Sequence, residues 1–207
     1  MVSLLVAPPR RARAVAACLV ALFALAVPAA ALARGGSYAV TGGNAADRAQ
    51  VRAALDASVF DWNAVPGLIQ IHLLPGVSAY STPGEIWLDP GLLRAGVFSW
   101  AVVQDEYAHQ VDFFLLNDAE HELLNAALGT RVWCHDDRPG LPHRDYGCER
   151  FTSTFVWAYW PSPQNAYKPA SHGSEATMTP WRFRQLLGRM LAPSPAPLAG
   201  RDLFDTP

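Results

Sequence analysis

Apolar residues recur at two different periods along this chain, and the two periods predict helices in some segments and strands in others. Residues 44–60 carry apolar side chains on one face at helical spacing, which predicts an amphipathic first helix. Two short apolar runs, at 68–74 and 84–89, predict β-strands. The intervening segment 75–83 is rich in turn-forming residues, so we expect a loop there.

The rest of the chain predicts helices. They follow the two strands and cover residues 92–95, 100–116, 118–128, 149–160 and 181–191. Ser99 is the expected N-cap of the second of these, Gly129 ends the third, and Thr179-Pro180 opens the last. Strands followed by helices, in a chain long enough for one core, predict an α+β domain that is mainly helical with a small sheet.

The two ends of the chain differ in composition from the middle. Residues 1–33 contain a basic start, an apolar stretch and the small-residue sequence Ala31-Leu32-Ala33, which together predict a secretory signal peptide. No other segment approaches the roughly 18 apolar residues of a membrane span, so we expect export to the extracellular space and no membrane anchoring. The predicted single domain covers residues 34–192, and the Pro/Ala-rich residues 193–207 predict a disordered tail.

Removal of the predicted signal peptide makes the chain more acidic. It takes away three arginines and no acidic residue, which leaves 13 basic against 18 acidic residues and shifts the formal charge from −2 to −5. Because phosphate binding requires a basic face, this balance disfavours a nucleic-acid partner.

Two cysteines, Cys134 and Cys148, remain after the signal peptide. An even pair in an oxidising compartment predicts one disulfide, worth on the order of 3 kcal/mol for a loop of this length. The alternative is that both are free thiols that join His135 in a metal site.

The predicted helix 100–116 carries the main chemical signal. Its residues Asp105, Glu106 and His109 follow the zinc-protease pattern H-E-x-x-H with aspartate at the first position. Residues four apart lie on one face of a helix, so Asp105 and His109 can approach the same metal ion. Aspartate is an accepted zinc ligand, but its side chain is shorter than imidazole, so we expect a weakened site. The structural alternative is an amphipathic core helix with a solvated Asp-Glu pair.

In a zinc hydrolase whose first two ligands share one helix, the third must come from elsewhere, and in one large branch it is a glutamate on a later helix. Glu149 fits that role, because it opens a helix about 40 residues after His109. The segment from Gln104 to Phe113, together with Glu149-Arg150-Phe151, resembles a family of small secreted bacterial proteins with a zincin-type, gluzincin-like signature. The resemblance spans roughly residues 38–165. It implies a zincin-like fold and a zinc peptidase acting on peptides or proteins, with His109 and Glu149 as ligands and Glu106 as general base. It also implies that segment 83–89 is the edge strand that aligns the substrate.

The first ligand is where this chain departs from the family, and two functions therefore stay open. Either Asp105 completes a zinc site, or the chain is an inactive relative that serves as a secreted binding or structural protein. A set with two carboxylates would make zinc a weaker Lewis acid, so slow hydrolysis is expected even from a filled site.

Several other polar residues have weaker claims to a role. Asp112, three residues after His109, is either an acceptor that orients the His109 ring or a solvated helix residue. The oxyanion-stabilising candidates are Tyr146, His143 and His172, although each is also a common type of loop residue. We expect His121-Glu122 to be a pair on a helix surface and His72 to lie on the outward face of a strand.

Overall fold

The computed structural model describes residues 35–134, 138–169 and 176–192. The predicted signal peptide 1–33 and tail 193–207 lie outside these residues. The described part forms four strands and six helices, in the order β1 (Tyr38–Gly42), α1 (Ala45–Asp56), β2 (Ile69–Leu73), β3 (Tyr80–Thr82), β4 (Glu85–Leu88), α2 (Pro90–Leu93), α3 (Trp100–Leu115), α4 (Asp118–Leu128), α5 (Gly147–Tyr159) and α6 (Pro180–Met190). The predicted α+β, mainly helical class is therefore confirmed.

The four strands form one mixed sheet in the order β1-β2-β4-β3. β2 runs parallel to both β1 and β4, whereas the short β3 runs antiparallel to β4. We predicted segment 83–89 as the edge strand, but this prediction is wrong. Because β3 pairs with the outer side of β4, β4 lies inside the sheet and β3 forms its edge.

One face of the sheet is buried under helices α1 and α3. The inward side chains of β2 and β4 join apolar residues of both helices in one core; from the sheet these are Ile69, Ile71, Leu73, Ile86 and Leu88. The outward face carries a row of stacked rings, in which His72 lies 5.1 Å from Trp87 and Trp87 lies 4.4 Å from Tyr80. The outward placement predicted for His72 is therefore confirmed.

The sequence pattern missed β1 and β3, and it placed some helix ends wrongly. α1 ends at Asp56 and a 3-10 turn follows at Trp62–Ala64, so the helix is shorter than predicted. α4 has the predicted bounds, with Gly129 as its left-handed C-cap. Ser99 precedes α3, but its hydroxyl donates to the Gly96 carbonyl rather than capping the helix. No described helix has the length and apolar character needed to cross a membrane.

Helix α3 lies at the centre of the domain, between the sheet and helix α5. Eleven of its sixteen residues are buried, and six of these eleven are polar or charged: Gln104, Asp105, Glu106, His109, Gln110 and Asp112. Buried charged groups are costly unless they are paired or bind a metal, so their concentration on one helix makes α3 the first place to look for a site.

Candidate functional site

Helices α3 and α5 bring three metal-ligating side chains together. Asp105 and His109 lie one turn apart on α3, and Glu149 lies in the first turn of α5. Their ligand atoms are all within 4.8 Å of one another, and the three residues are only 6% to 8% exposed. Ligands of one tetrahedral zinc ion lie roughly 3.4 Å apart, so small side-chain adjustments would bring these atoms to one cation.

The start of α5 is fixed by backbone pairing and by the disulfide. The N–H groups of Gly147 and Cys148 donate to the carbonyls of Val132 and Trp133, each at 2.8 Å. The Cys134–Cys148 disulfide joins the same two segments, which confirms the predicted pairing and excludes two free thiols as metal ligands. Because Glu149 directly follows Cys148, these contacts set where its carboxylate enters the site.

Glu106 extends from α3 toward the edge strand. The hydroxyl of Ser81 on β3 lies 2.7 Å from a carboxylate oxygen of Glu106 and 2.8 Å from its main-chain carbonyl, close enough to donate to either. The sequence pattern gave no sign of this contact, because Ser81 lies in the segment read as a loop. The edge strand therefore orients the predicted general base.

Gln110 attaches the β3–β4 hairpin to α3. Its side-chain oxygen accepts from the Gly84 N–H at 2.8 Å, and its amide nitrogen donates to the Thr82 carbonyl at 3.0 Å. The buried Gln110 side chain thereby satisfies a backbone donor and a backbone acceptor of the turn between β3 and β4. This contact holds the edge strand beside the candidate site.

Burial and mutual charge determine the protonation of the two α3 residues. Burial raises the pKa of Asp105 to about 8, because a carboxylate is poorly solvated in this interior. Burial alone would disfavour the charged form of His109, but the carboxylates of Glu149 and Asp105 outweigh it and raise its pKa to about 9. Without a metal, the buried cluster therefore favours the protonated form of each of these two groups.

Asp105 also has an unsatisfied atom. Its Oδ1 is buried and finds no hydrogen-bond partner among the described residues. A buried polar atom without a partner costs about 1–3 kcal/mol of stability. A bound ligand, or a proton on this carboxylate, would offset that cost. Two carboxylates and one imidazole form a donor set that suits a divalent ion such as zinc.

Glu149 contacts two histidines. Its Oε2 lies 3.6 Å from Nε2 of His109 and 2.8 Å from Nε2 of His143. Burial alone would raise the pKa of Glu149, but the contacts with these two imidazoles hold it well below its usual range. We predicted His143 only as one of several oxyanion-stabilising candidates; the structure places it directly against a candidate ligand.

The pKa of Glu106 is also raised. Burial is the main cause, and the nearby His109 and the Ser81 hydroxyl offset part of it. A general base works best when its pKa lies closer to the working pH than that of a free carboxylate. Its environment therefore suits Glu106 for accepting a proton.

Asp112 does not act as predicted. Its carboxylate accepts from Nε1 of Trp133 at 3.0 Å and contacts Nε2 of His121 at 2.7 Å, so it is neither bonded to His109 nor solvated. The ring of His121 stacks on that of Trp133, with centroids 4.3 Å apart, and its side chain is 22% exposed, so His121 lies on the surface of α4 but is partly covered. These three residues connect α3, α4 and the segment that leads into the disulfide.

Tyr146, another predicted residue, has a role outside the candidate site. The Tyr146 hydroxyl donates to the Arg138 carbonyl and accepts from the Leu141 N–H, each at 2.9 Å, so it stabilises the loop before α5. His172 lies outside the described residues.

The three candidate ligands line a cleft of about 480 Å³. The cleft is lined by segment 79–82, which includes the edge strand, and by Phe113, Cys134 and His143. A cleft of this volume lies in the range of small-ligand sites.

Comparison with known proteins gives no relative. No family model, no curated protein and no solved structure matches this chain.

Proposed function

We propose that this protein is a secreted, metal-dependent peptidase in which Asp105, His109 and Glu149 hold one zinc ion. The observation that carries the proposal is the convergence of these three buried side chains, from two helices, with Glu106 beside them in the same cleft. The resemblance of segment 104–113 to zincin-type proteins supports the same conclusion.

Each residue has a chemical task in this proposal. A bound zinc ion would polarise the substrate carbonyl and acidify a water molecule. Glu106 accepts the proton of that water, and Ser81 keeps its carboxylate pointing into the cleft. The edge strand β3 offers its free side for backbone hydrogen bonds with an extended peptide.

The donor set predicts slow hydrolysis. Two carboxylates put more negative charge on the ion than the usual two imidazoles and one carboxylate do. Its ability to polarise a carbonyl is then reduced. Replacement of Asp105 by histidine is expected to strengthen metal binding and to raise the rate, because it restores the second imidazole.

Export and a peptide substrate belong to the same proposal. The signal-like residues 1–33 support secretion. The Cys134–Cys148 disulfide supports it too, because disulfides form and persist in oxidising compartments. The acidic balance of the chain is unfavourable for nucleic acids, so a peptide or protein substrate remains the better fit to the cleft.

A second function has an observation of its own. The charged His109 already neutralises Glu149 in the absence of a metal, so the buried cluster has a stable arrangement of protons. In this alternative the chain keeps the scaffold of a peptidase but acts as a secreted binding or structural protein.

The zinc content of the purified mature protein, with its disulfide formed, distinguishes the two functions. We expect close to one zinc per chain in the parent, loss of zinc in His109→Ala, and retention of zinc in Glu106→Gln. Glu106→Gln is the matched control, because it alters the same helix without removing a ligand. Its peptidase activity on a mixed peptide library should fall by roughly 100-fold or more.

The opposite results would favour the alternative. Zinc bound only by Asp105→His would identify the parent as an inactive relative. If neither the parent nor Asp105→His binds zinc, the metal site itself is refuted.

A further inference from the structure

His143 lies at the mouth of the cleft, on the 3-10 turn His143–Asp145. Its Nε2 is 2.8 Å from Oε2 of Glu149, the same oxygen that His109 approaches at 3.6 Å. Two imidazole nitrogens from different segments thus point at one oxygen of a candidate metal ligand.

We propose that His143 is a fourth ligand of the metal and supplies the second imidazole that is missing at position 105. This inference rests on the proposed function, because it assumes that Asp105, His109 and Glu149 bind a metal. The site then contains two imidazoles and two carboxylates.

The position and the exposure of His143 support this role. The 2.8 Å contact with Glu149 is a hydrogen-bond distance, so it already holds the His143 imidazole against one of the three candidate ligands. The His143 side chain is 59% exposed, so its ring can turn toward an ion held by the three buried residues without displacing the core. In the metal-free arrangement it joins the group through Glu149.

The backbone around His143 is tied to the start of α5. The Tyr146 N–H donates to the His143 carbonyl at 3.1 Å, and the Asp145 N–H donates to the Pro142 carbonyl at 2.8 Å. This short turn keeps the imidazole within reach of the site, because α5 begins with Gly147 and Glu149 follows two residues later.

A fourth protein ligand has a consequence for activity. Four protein ligands fill a tetrahedral zinc site, and catalytic sites usually keep one position open. A metal held by all four of these residues would have less room for water than a metal held by three. We infer that His143 strengthens metal binding and restricts access of water to the resting site.

The test detects the metal–nitrogen bonds directly. The protein, labelled with ¹⁵N at its six histidines, is loaded with ¹¹³Cd²⁺, and one-bond coupling between cadmium and imidazole nitrogen is measured by NMR. We expect coupling to two imidazoles. His109→Ala and His143→Ala assign them, and in His143→Ala the His109 coupling should remain while zinc affinity falls at least tenfold.

A matched control is His72→Ala. His72 also lies 3.6 Å from a glutamate, Glu85, but on the outward face of the sheet, so its removal should change neither coupling. The number of imidazoles coupled to cadmium is measured on the parent protein. The test therefore still gives a result if a variant fails to fold.

The outcomes separate the two proposals. Coupling to His109 alone would overturn the ligand role of His143 and leave the three-residue metal site standing. Absence of bound cadmium and zinc in the parent would overturn both.

Discussion

The attachment of the edge strand to α3 by Gln110 can be tested by a single substitution. Gln110→Met keeps the length of the side chain and a good helix former, but it removes both polar atoms. The Gly84 N–H then loses an acceptor at 2.8 Å, and the Thr82 carbonyl loses a donor at 3.0 Å. The Glu85 carbonyl loses a longer contact at 3.4 Å.

The expected loss of stability follows from these contacts. A buried backbone group left without a partner costs about 1–3 kcal/mol. The hairpin is only half-buried, so water can reach part of it and the lower end of that range applies to each of the two groups. We therefore expect Gln110→Met to lower the free energy of unfolding by about 2–3 kcal/mol.

Gln104→Met is the matched control, because Gln104 is also fully buried on α3. Its amide nitrogen donates to the Ala54 carbonyl at 2.7 Å, but its side-chain oxygen has no described hydrogen-bond partner. Removal of that oxygen offsets much of the lost hydrogen bond. We expect a change of about 1 kcal/mol or less.

Urea unfolding followed by circular dichroism measures both changes, and amide hydrogen exchange locates the effect. The Gly84 amide should exchange faster in Gln110→Met and be unchanged in Gln104→Met. Equal destabilisation by the two substitutions, or a Gly84 amide that stays protected in Gln110→Met, would refute the attachment.

Two further predictions concern metal uptake and helix packing. Asp105 and His109, with pKa values near 8 and 9, both carry protons at pH 7, so a metal must displace them. Apparent zinc affinity should therefore rise from pH 6 to about pH 9; competition titration measures it, and a flat profile would contradict this. Gly147→Ala would place a Cβ against Oδ1 of Asn125 and the ring of Trp133 and should destabilise the fold by about 1–3 kcal/mol. Gly188→Ala, with open space around it, should stabilise the fold by about 0.5–1 kcal/mol. Thermal unfolding compares the two, and equal shifts would count against tight packing at Gly147.

The local pattern of the sequence was sufficient for the features that depend on neighbouring residues. The helical period and the cap at Gly129 gave α4 its bounds, and the four-residue spacing put Asp105 and His109 on one face of α3. The alternation of apolar residues likewise gave β2 and placed His72 on its outward side. These outcomes follow from backbone geometry, which acts over a few residues.

The weak elements were missed because their own residues do not define them. β3 has only three residues, and it is a strand because it pairs with β4 and is attached to α3 through Ser81 and Gln110. β1 likewise exists through its pairing with β2. Short strands depend on such partners, and a single-sequence pattern does not contain them.

The candidate site shows the same division. The sequence by itself determined that α3 carries Asp105, Glu106 and His109 at metal-binding spacing and that Glu149 lies on a later helix. Only the tertiary structure decided that Glu149 meets them, that His143 contacts Glu149, and that Asp112 binds Trp133 and not His109. Those contacts join residues far apart in the chain, and they are fixed by the packing of α3 against α5 and by the disulfide, which no local pattern specifies.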